Sequence, residues 1–154
     1  MYKVISCQFG KKAEVLDLED LKLETLQKLV GGFIEVLMLS ESDKTLLICN
    51  EEGWLRNLNA NRVIFNSDSG EFLSVIAGDF LIMSEKENEE GELEFAGIED
   101  DEILEKYLFK YHYPERILKN SLGVFGIPYE PDFKNIKEYD IETDGAMIEI
   151  VDVL

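Results

Sequence analysis

The chain is poor in the residues that build most catalytic and metal centres. Its 154 residues include one histidine, two cysteines, one tryptophan and three prolines. A zinc site needs at least three ligands from His, Cys and carboxylates at suitable spacing. His112, Cys7 and Cys49 offer no such cluster, so no metal and no cofactor is expected. A Cys–His nucleophile pair would need an exposed thiol, whereas both cysteines lie in apolar, strand-like runs. They read as reduced, buried thiols of a cytoplasmic protein, with a single disulfide as the alternative. His112, in Lys110-Tyr111-His112-Tyr113-Pro114, reads as a polar group closing a helix.

No Walker loop, dinucleotide-binding glycine turn, nucleophile elbow or H-E-x-x-H is present. Gly31-Gly32 follows a predicted helix, whereas phosphate-binding glycines precede one. A glycosidase carboxylate pair would need an aromatic-walled cleft, which a lone tryptophan does not supply. Long apolar runs are also missing. Phe33 to Leu39 is interrupted by Glu35 and falls far short of the ~20 residues that cross a bilayer. The first eight residues lack the apolar core of a signal peptide. Basic residues are scarce, 15 against 33 acidic, for a net charge of −18. That argues against direct binding to nucleic-acid phosphates or to an anionic membrane.

What is present is a globular composition, 45% hydrophobic, in a length that suits one domain over residues 1–154. Residues 2–8 and 13–18 alternate as strands around a Gly10-Lys11-Lys12 turn. Leu23, Leu26, Leu29 and Val30 give a helix over about 21–31, with carboxylates at its start and Gly31-Gly32 at its end. Phe33 to Leu39 reads as a strand covered on both faces, and Thr45 to Cys49 as its antiparallel neighbour. Asn50-Glu51-Glu52-Gly53 breaks that strand, and Trp54, Leu55 and Leu58 suggest a short helical piece. Gly78-Asp79 divides the apolar run Phe72 to Met83. Ile103, Leu104, Tyr107, Leu108 and Tyr111 stripe a helix over about 99–111. Ile117 to Phe125 suggests a helical turn or more, and Ala146 to Val153 a final strand. The fold class is α+β: a mostly antiparallel sheet of five to seven strands with two main helices packed on one face.

Residues 85–105 carry −10 of the total charge, and residues 106–129 carry +3. Such a local run reads first as a solvated hairpin tip followed by a helix N-terminus. Two other readings are a contact surface for a basic protein and an imitation of DNA phosphates, as an anti-restriction inhibitor would use. A phosphate mimic needs carboxylates spread over much of a rigid surface, and residues 1–84 carry only −5.

Three blocks go beyond composition: Leu26-Gln27-Lys28-Leu29-Val30-Gly31-Gly32 with Glu35 following, Asn50-Glu51-Glu52-Gly53 with Asn61 downstream, and Ile76-Ala77-Gly78-Asp79. In order and spacing they resemble the family called domain of unknown function 3846, over about residues 14–110. The resemblance implies a phage, plasmid or conjugative-element origin and a compact α+β domain, and it transfers no catalytic role. Residues 112–154 depart from the pattern, as an extension packed on the same core.

The glycines of these blocks read as backbone requirements, and Asn50 and Asn61 as groups that hold an irregular turn. The functional alternative is a small polar-ligand or nucleotide pocket lined by Glu35, Asn50, Glu51, Glu52, Arg56, Asn61 and Arg62. The leading expectation is a non-enzymatic accessory protein that binds a protein partner. Glu89, Glu90, Asp100 and Asp101, with exposed aromatics such as Tyr111, Tyr113 and Phe125, would form the contact. A homodimer is a further expectation.

Overall fold

The computed structural model describes residues 1–112 and, beyond them, the backbone of strands 115–120, 123–128 and 150–153. In chain order the elements are β1 (Tyr2–Cys7), β2 (Glu14–Leu18), α1 (Leu23–Val30), β3 (Ile34–Ser40), β4 (Thr45–Asn50), β5 (Ala60–Phe65), β6 (Phe72–Ala77), β7 (Phe80–Glu87), β8 (Leu93–Ala96), α2 (Asp101–Lys110), β9 (Glu115–Asn120), β10 (Gly123–Pro128) and β11 (Ile150–Val153). The main sheet is antiparallel and runs β2-β1-β7-β4-β3, with β8 paired to the far half of β7. β5 and β6 form a separate hairpin, while β9 pairs antiparallel with β10 and parallel with β11. The fold is thus α+β, built on a six-stranded sheet and two helices.

Successive strand residues point to opposite faces, and the core divides accordingly. Val4, Leu46, Ile48, Leu81 and Met83 pack on Leu26 and Val30 of α1. Ile5, Cys7, Leu47, Cys49, Phe80 and Ile82 pack on Leu104, Tyr107 and Tyr111 of α2, together with Ile64 and Ile76 of the β5–β6 hairpin. The two helices therefore lie on opposite faces of the sheet, not on one face as the pattern suggested. The physical reason is visible in β4, where all six residues are buried. A strand apolar on both sides needs cover on both sides.

Two further expectations change. β3 is no less apolar than β4, yet it is the last strand of the sheet, and Glu35 and Val36 at its centre are exposed. Residues 115–128 form the β9–β10 hairpin rather than a helical turn, in keeping with the β-branched and aromatic residues Ile117, Val124, Phe125 and Ile127. Of the expected final strand, Ile150–Val153 is observed, and 146–149 lie outside the described residues.

The helix ends follow local chemistry. α1 stops where Gly31 takes φ 81°, and the N–H groups of Gly31 and Gly32 both donate to the Gln27 carbonyl. α2 starts at Asp100, whose carboxylate accepts from the N–H of Glu102 and of Ile103. A polar lock then ties α2 to the turns at one end of the sheet. Lys106 Nζ lies 2.6 Å from Asp43 Oδ2, and the Tyr107 hydroxyl donates to the same oxygen at 3.1 Å. Beside it, the Asp68 carboxylate accepts from the hydroxyls of Ser42 and Ser40 at 2.7 and 2.8 Å and from the Glu41 and Ser42 amides. Those hydroxyls hold the Asp68 carboxyl down to about 2.

Candidate functional site

The residues that carry the family blocks meet around the segment from Asn50 to Arg62. Asn50, the buried last residue of β4, donates from Nδ2 to the Val30 carbonyl at 3.2 Å. Its Oδ1 accepts the Glu52 N–H at 2.8 Å, so one side chain joins the end of α1 to the turn after β4. Gly53 passes so close to β6 that an added Cβ would sit 2.4 Å from the Ala77 carbonyl oxygen. Only a residue without a side chain permits that approach. The turn closes through Arg56 N–H to Glu52 O and Leu58 N–H to Gly53 O, both 2.9 Å.

Asn61 and Arg62 begin β5 on the α2 side of the sheet. The Asn61 amide donates to the Cys7 carbonyl at 2.8 Å and to the Gly78 carbonyl at 3.0 Å, bridging the ends of β1 and β6. Arg62 is 1% exposed. It donates to the carbonyls of Tyr111 at 3.0 Å and Lys11 at 2.6 Å, and to Asn61 Oδ1 at 2.6 Å. The C-terminus of α2, the β1–β2 turn and the start of β5 are thereby fixed on one side chain. A planar, weakly hydrated, five-donor cation suits this position, which an ammonium would not fill. Asp79 completes the arrangement by accepting the Phe9 N–H at 2.9 Å.

The seven residues of the ligand-pocket expectation thus divide. Asn50, Asn61 and Arg62 are buried and turned onto backbone groups. Glu35, Glu51 and Arg56 are exposed and Glu52 is half-buried; Glu52 and Arg56 form an ion pair at 3.1 Å across one turn of chain. Asn50 and Asn61 hold the irregular turn, as their residue type suggested.

The residues expected to contact a partner also divide. Glu89 and Glu90 are exposed at the β7–β8 turn, where Asn88 Oδ1 accepts the N–H of Glu90 and Glu92. Asp101 is exposed in the first turn of α2, and Asp100 is its cap. Tyr111 is not a surface aromatic: it is 1% exposed, packed edge-on to Phe80 at 6.2 Å and stacked with Tyr107 at 6.5 Å. Its place on the apolar stripe of α2, four residues after Tyr107, puts it in the core. Tyr113 and the side chain of Phe125 lie outside the described residues.

The cysteines are free and buried, and burial pushes both thiols up to about 12. Phe80 pairs with Cys7 on one side, and the register of β4 on β7 sets Cys49 beside it on the other. Two strand spacings, about 9.6 Å, separate them, too far for a disulfide. The buried part of His112 lowers its affinity for a proton, and its carbonyl accepts the Ala13 N–H at 3.4 Å, which closes α2 onto β2.

Trp54 and Leu55, expected on a short helical piece, lie instead in a turn and face solvent. Leu55 is 83% exposed and Trp54 51%, and Trp54 Nε1 donates to the Val75 carbonyl at 3.0 Å. Phe33, 62% exposed, adjoins the same turn through the Glu51 N–H to its carbonyl at 2.8 Å. The available signal was two adjacent large apolar residues, Trp54 and Leu55, in a turn rich in Asn, Glu and Gly.

Among the described residues, no group of three or more His, Cys, Asp and Glu could hold a metal ion, and no helix is long and apolar enough to cross a membrane. No curated protein and no solved structure matches the chain. One family does, over residues 2–111, so that the match starts earlier than the sequence blocks indicated and ends where α2 closes. The chain belongs to the family described as Domain of unknown function (DUF3846).

Proposed function

We propose that this protein is a non-catalytic accessory protein of a phage, plasmid or conjugative element, working in the cytoplasm by binding a protein partner. The observation that carries this reading is the turn at 51–58, which presents Trp54 and Leu55 to solvent while Gly53, Asn50 and the Trp54 Nε1 bond hold its backbone in place. Rigid, exposed aromatic and aliphatic groups with a polar rim are the usual anchors of protein interfaces. Glu51, Glu52 and Arg56 supply the rim. The polar residues of the segment support the same reading, since Asn50 and Asn61 of the family blocks, with Arg62 beside them, turn their donors onto groups of the protein itself. The mobile-element setting comes with the family resemblance and is part of the proposal.

Affinity capture from the native host, with the intact chain and with Trp54→Ala, Leu55→Asp as bait, tests it. The expected result is a captured protein whose recovery falls at least tenfold with either substitution and is kept with Glu89→Gln/Glu90→Gln. Recovery that is indifferent to Trp54 and Leu55 would contradict the proposal.

A further inference from the structure

β3 is an edge strand whose outer side is open among the described residues. The Glu51 N–H donates to the Phe33 carbonyl, so residue 33 turns its backbone groups towards β4. Antiparallel ladders alternate strictly, and with Ile34 opposite Asn50, Val36 opposite Ile48 and Met38 opposite Leu46, the backbone groups of those three residues point away from the sheet. None of them has a hydrogen-bond partner among the described residues. The open window ends at Leu39, whose carbonyl accepts the Ser67 N–H at 2.8 Å, just where a bulge between Met38 and Ser40 shifts the register. An unprotected edge of this kind is a template for strand addition.

We infer that the window is closed by a second copy of the same chain, β3 pairing antiparallel with the second copy's β3 about a two-fold axis through Val36. That register sets Val36 opposite the second copy's Val36 and Ile34 opposite its Met38, so all outward backbone groups of both copies are paired at once. The side chains agree with it. Ile34, Val36 and Met38 share the α1 face and meet only one another, while Glu35 on the α2 face falls opposite the second copy's Leu37, and the two Glu35 carboxylates never oppose. Self-complementary patches of this sort define isologous dimers. On the opposite side of the sheet, β2 is unsuited, because Glu14 and Asp17 occupy two of its five positions and both are exposed, and β8 has only four residues, one of them the exposed Glu94.

The net charge of −18 does not oppose this pairing. The acidic β7–β8 hairpin hangs from β7, two strands in from β3. In the dimer the two β7 strands are five spacings apart, about 24 Å, roughly three screening lengths at physiological salt. The product is a continuous twelve-stranded sheet with both α1 helices on one face.

Sedimentation of the full chain between about 10 and 100 μM tests the inference. A species of twice the 17.7 kDa chain mass is expected. Val36→Lys, which places two ammonium groups at the two-fold axis, should give the single-chain mass with unchanged far-ultraviolet dichroism. Val15→Lys on β2 should leave the dimer intact. Amide exchange at Ile34, Val36 and Met38 supplies a second readout that needs no variant: it should accelerate several-fold as the wild-type chain is diluted. A wild-type chain of single mass throughout, a dimer that survives Val36→Lys, or exchange at these amides independent of concentration would overturn the inference.

Discussion

Two regions rich in polar residues behave in opposite ways. In the segment from Asn50 to Arg62, the side chains of Asn50, Asn61 and Arg62 lie inside the protein and are bonded to main-chain groups at the ends of β1, α1, β6 and α2. From Glu85 to Glu94, carboxylates project from a hairpin into water, with one loose ion pair, Lys86–Glu94 at 3.9 Å. The second region concentrates −5 of the net charge in ten residues, and the first holds the architecture together. Burial is what separates them. A buried amide or guanidinium that loses its partners leaves carbonyls unsatisfied at about 1–3 kcal/mol each, whereas an exposed ion pair is worth about 0–1 kcal/mol.

Substitutions can break or sharpen this contrast. The largest effect is expected for Arg62→Ala, which deprives the Tyr111 and Lys11 carbonyls of a charged donor. Charge-assisted hydrogen bonds contribute about 1.5–3 kcal/mol each, so a loss of about 3 kcal/mol or more should appear in urea denaturation. Gly53→Ala comes next. Its Cβ has no room beside the Ala77 carbonyl, and overpacking of this sort costs about 1–3 kcal/mol, readable in the same experiment.

Asp68 should show itself through pH. Its folded-state carboxyl is held at about 2, below the ordinary 3.8. The stabilisation is therefore complete above the ordinary value, shrinks as pH falls below it, and is gone once pH passes below about 2. Thermal midpoints of wild type and Asp68→Asn should differ at pH 7 and converge near pH 2. The smallest effect belongs to Glu89→Gln/Glu90→Gln, within about 0.5 kcal/mol of wild type, as for most exposed surface changes.

Much of the fold was legible in the sequence because local periodicity survives into the structure. The β1–β2 hairpin, the end of α1 at Gly31, the split at Gly78-Asp79 and the stripe of α2 all rest on signals within a few residues. Which face each helix covers was not legible, because alternation fixes that neighbours diverge and does not say what meets them. β3 and β4 show the same limit: two equally apolar strands, one central and one at the edge, differ only in their neighbours. In the candidate site, the roles of Asn50 and Asn61 could be read from residue type, since short amides in broken strands bond to main chain. Arg62 could not, because its partners Lys11 and Tyr111 are 51 and 49 residues away. Tyr111 shows a signal that was present and overridden: the spacing that placed it on the α2 stripe already implied burial.

The central claim is that the polar residues of the family blocks hold the fold while the acidic hairpin is dispensable to it. Equilibrium urea unfolding of Asn61→Ala beside Glu90→Ala tests this most directly. Asn61→Ala strands the carbonyls of Cys7 and Gly78 and removes an acceptor from Arg62, so its unfolding free energy should fall by about 2 kcal/mol or more. Glu90→Ala should stay within about 0.5 kcal/mol of wild type. An Asn61→Ala chain as stable as wild type, or a Glu90→Ala chain destabilised as much as Asn61→Ala, would contradict the account.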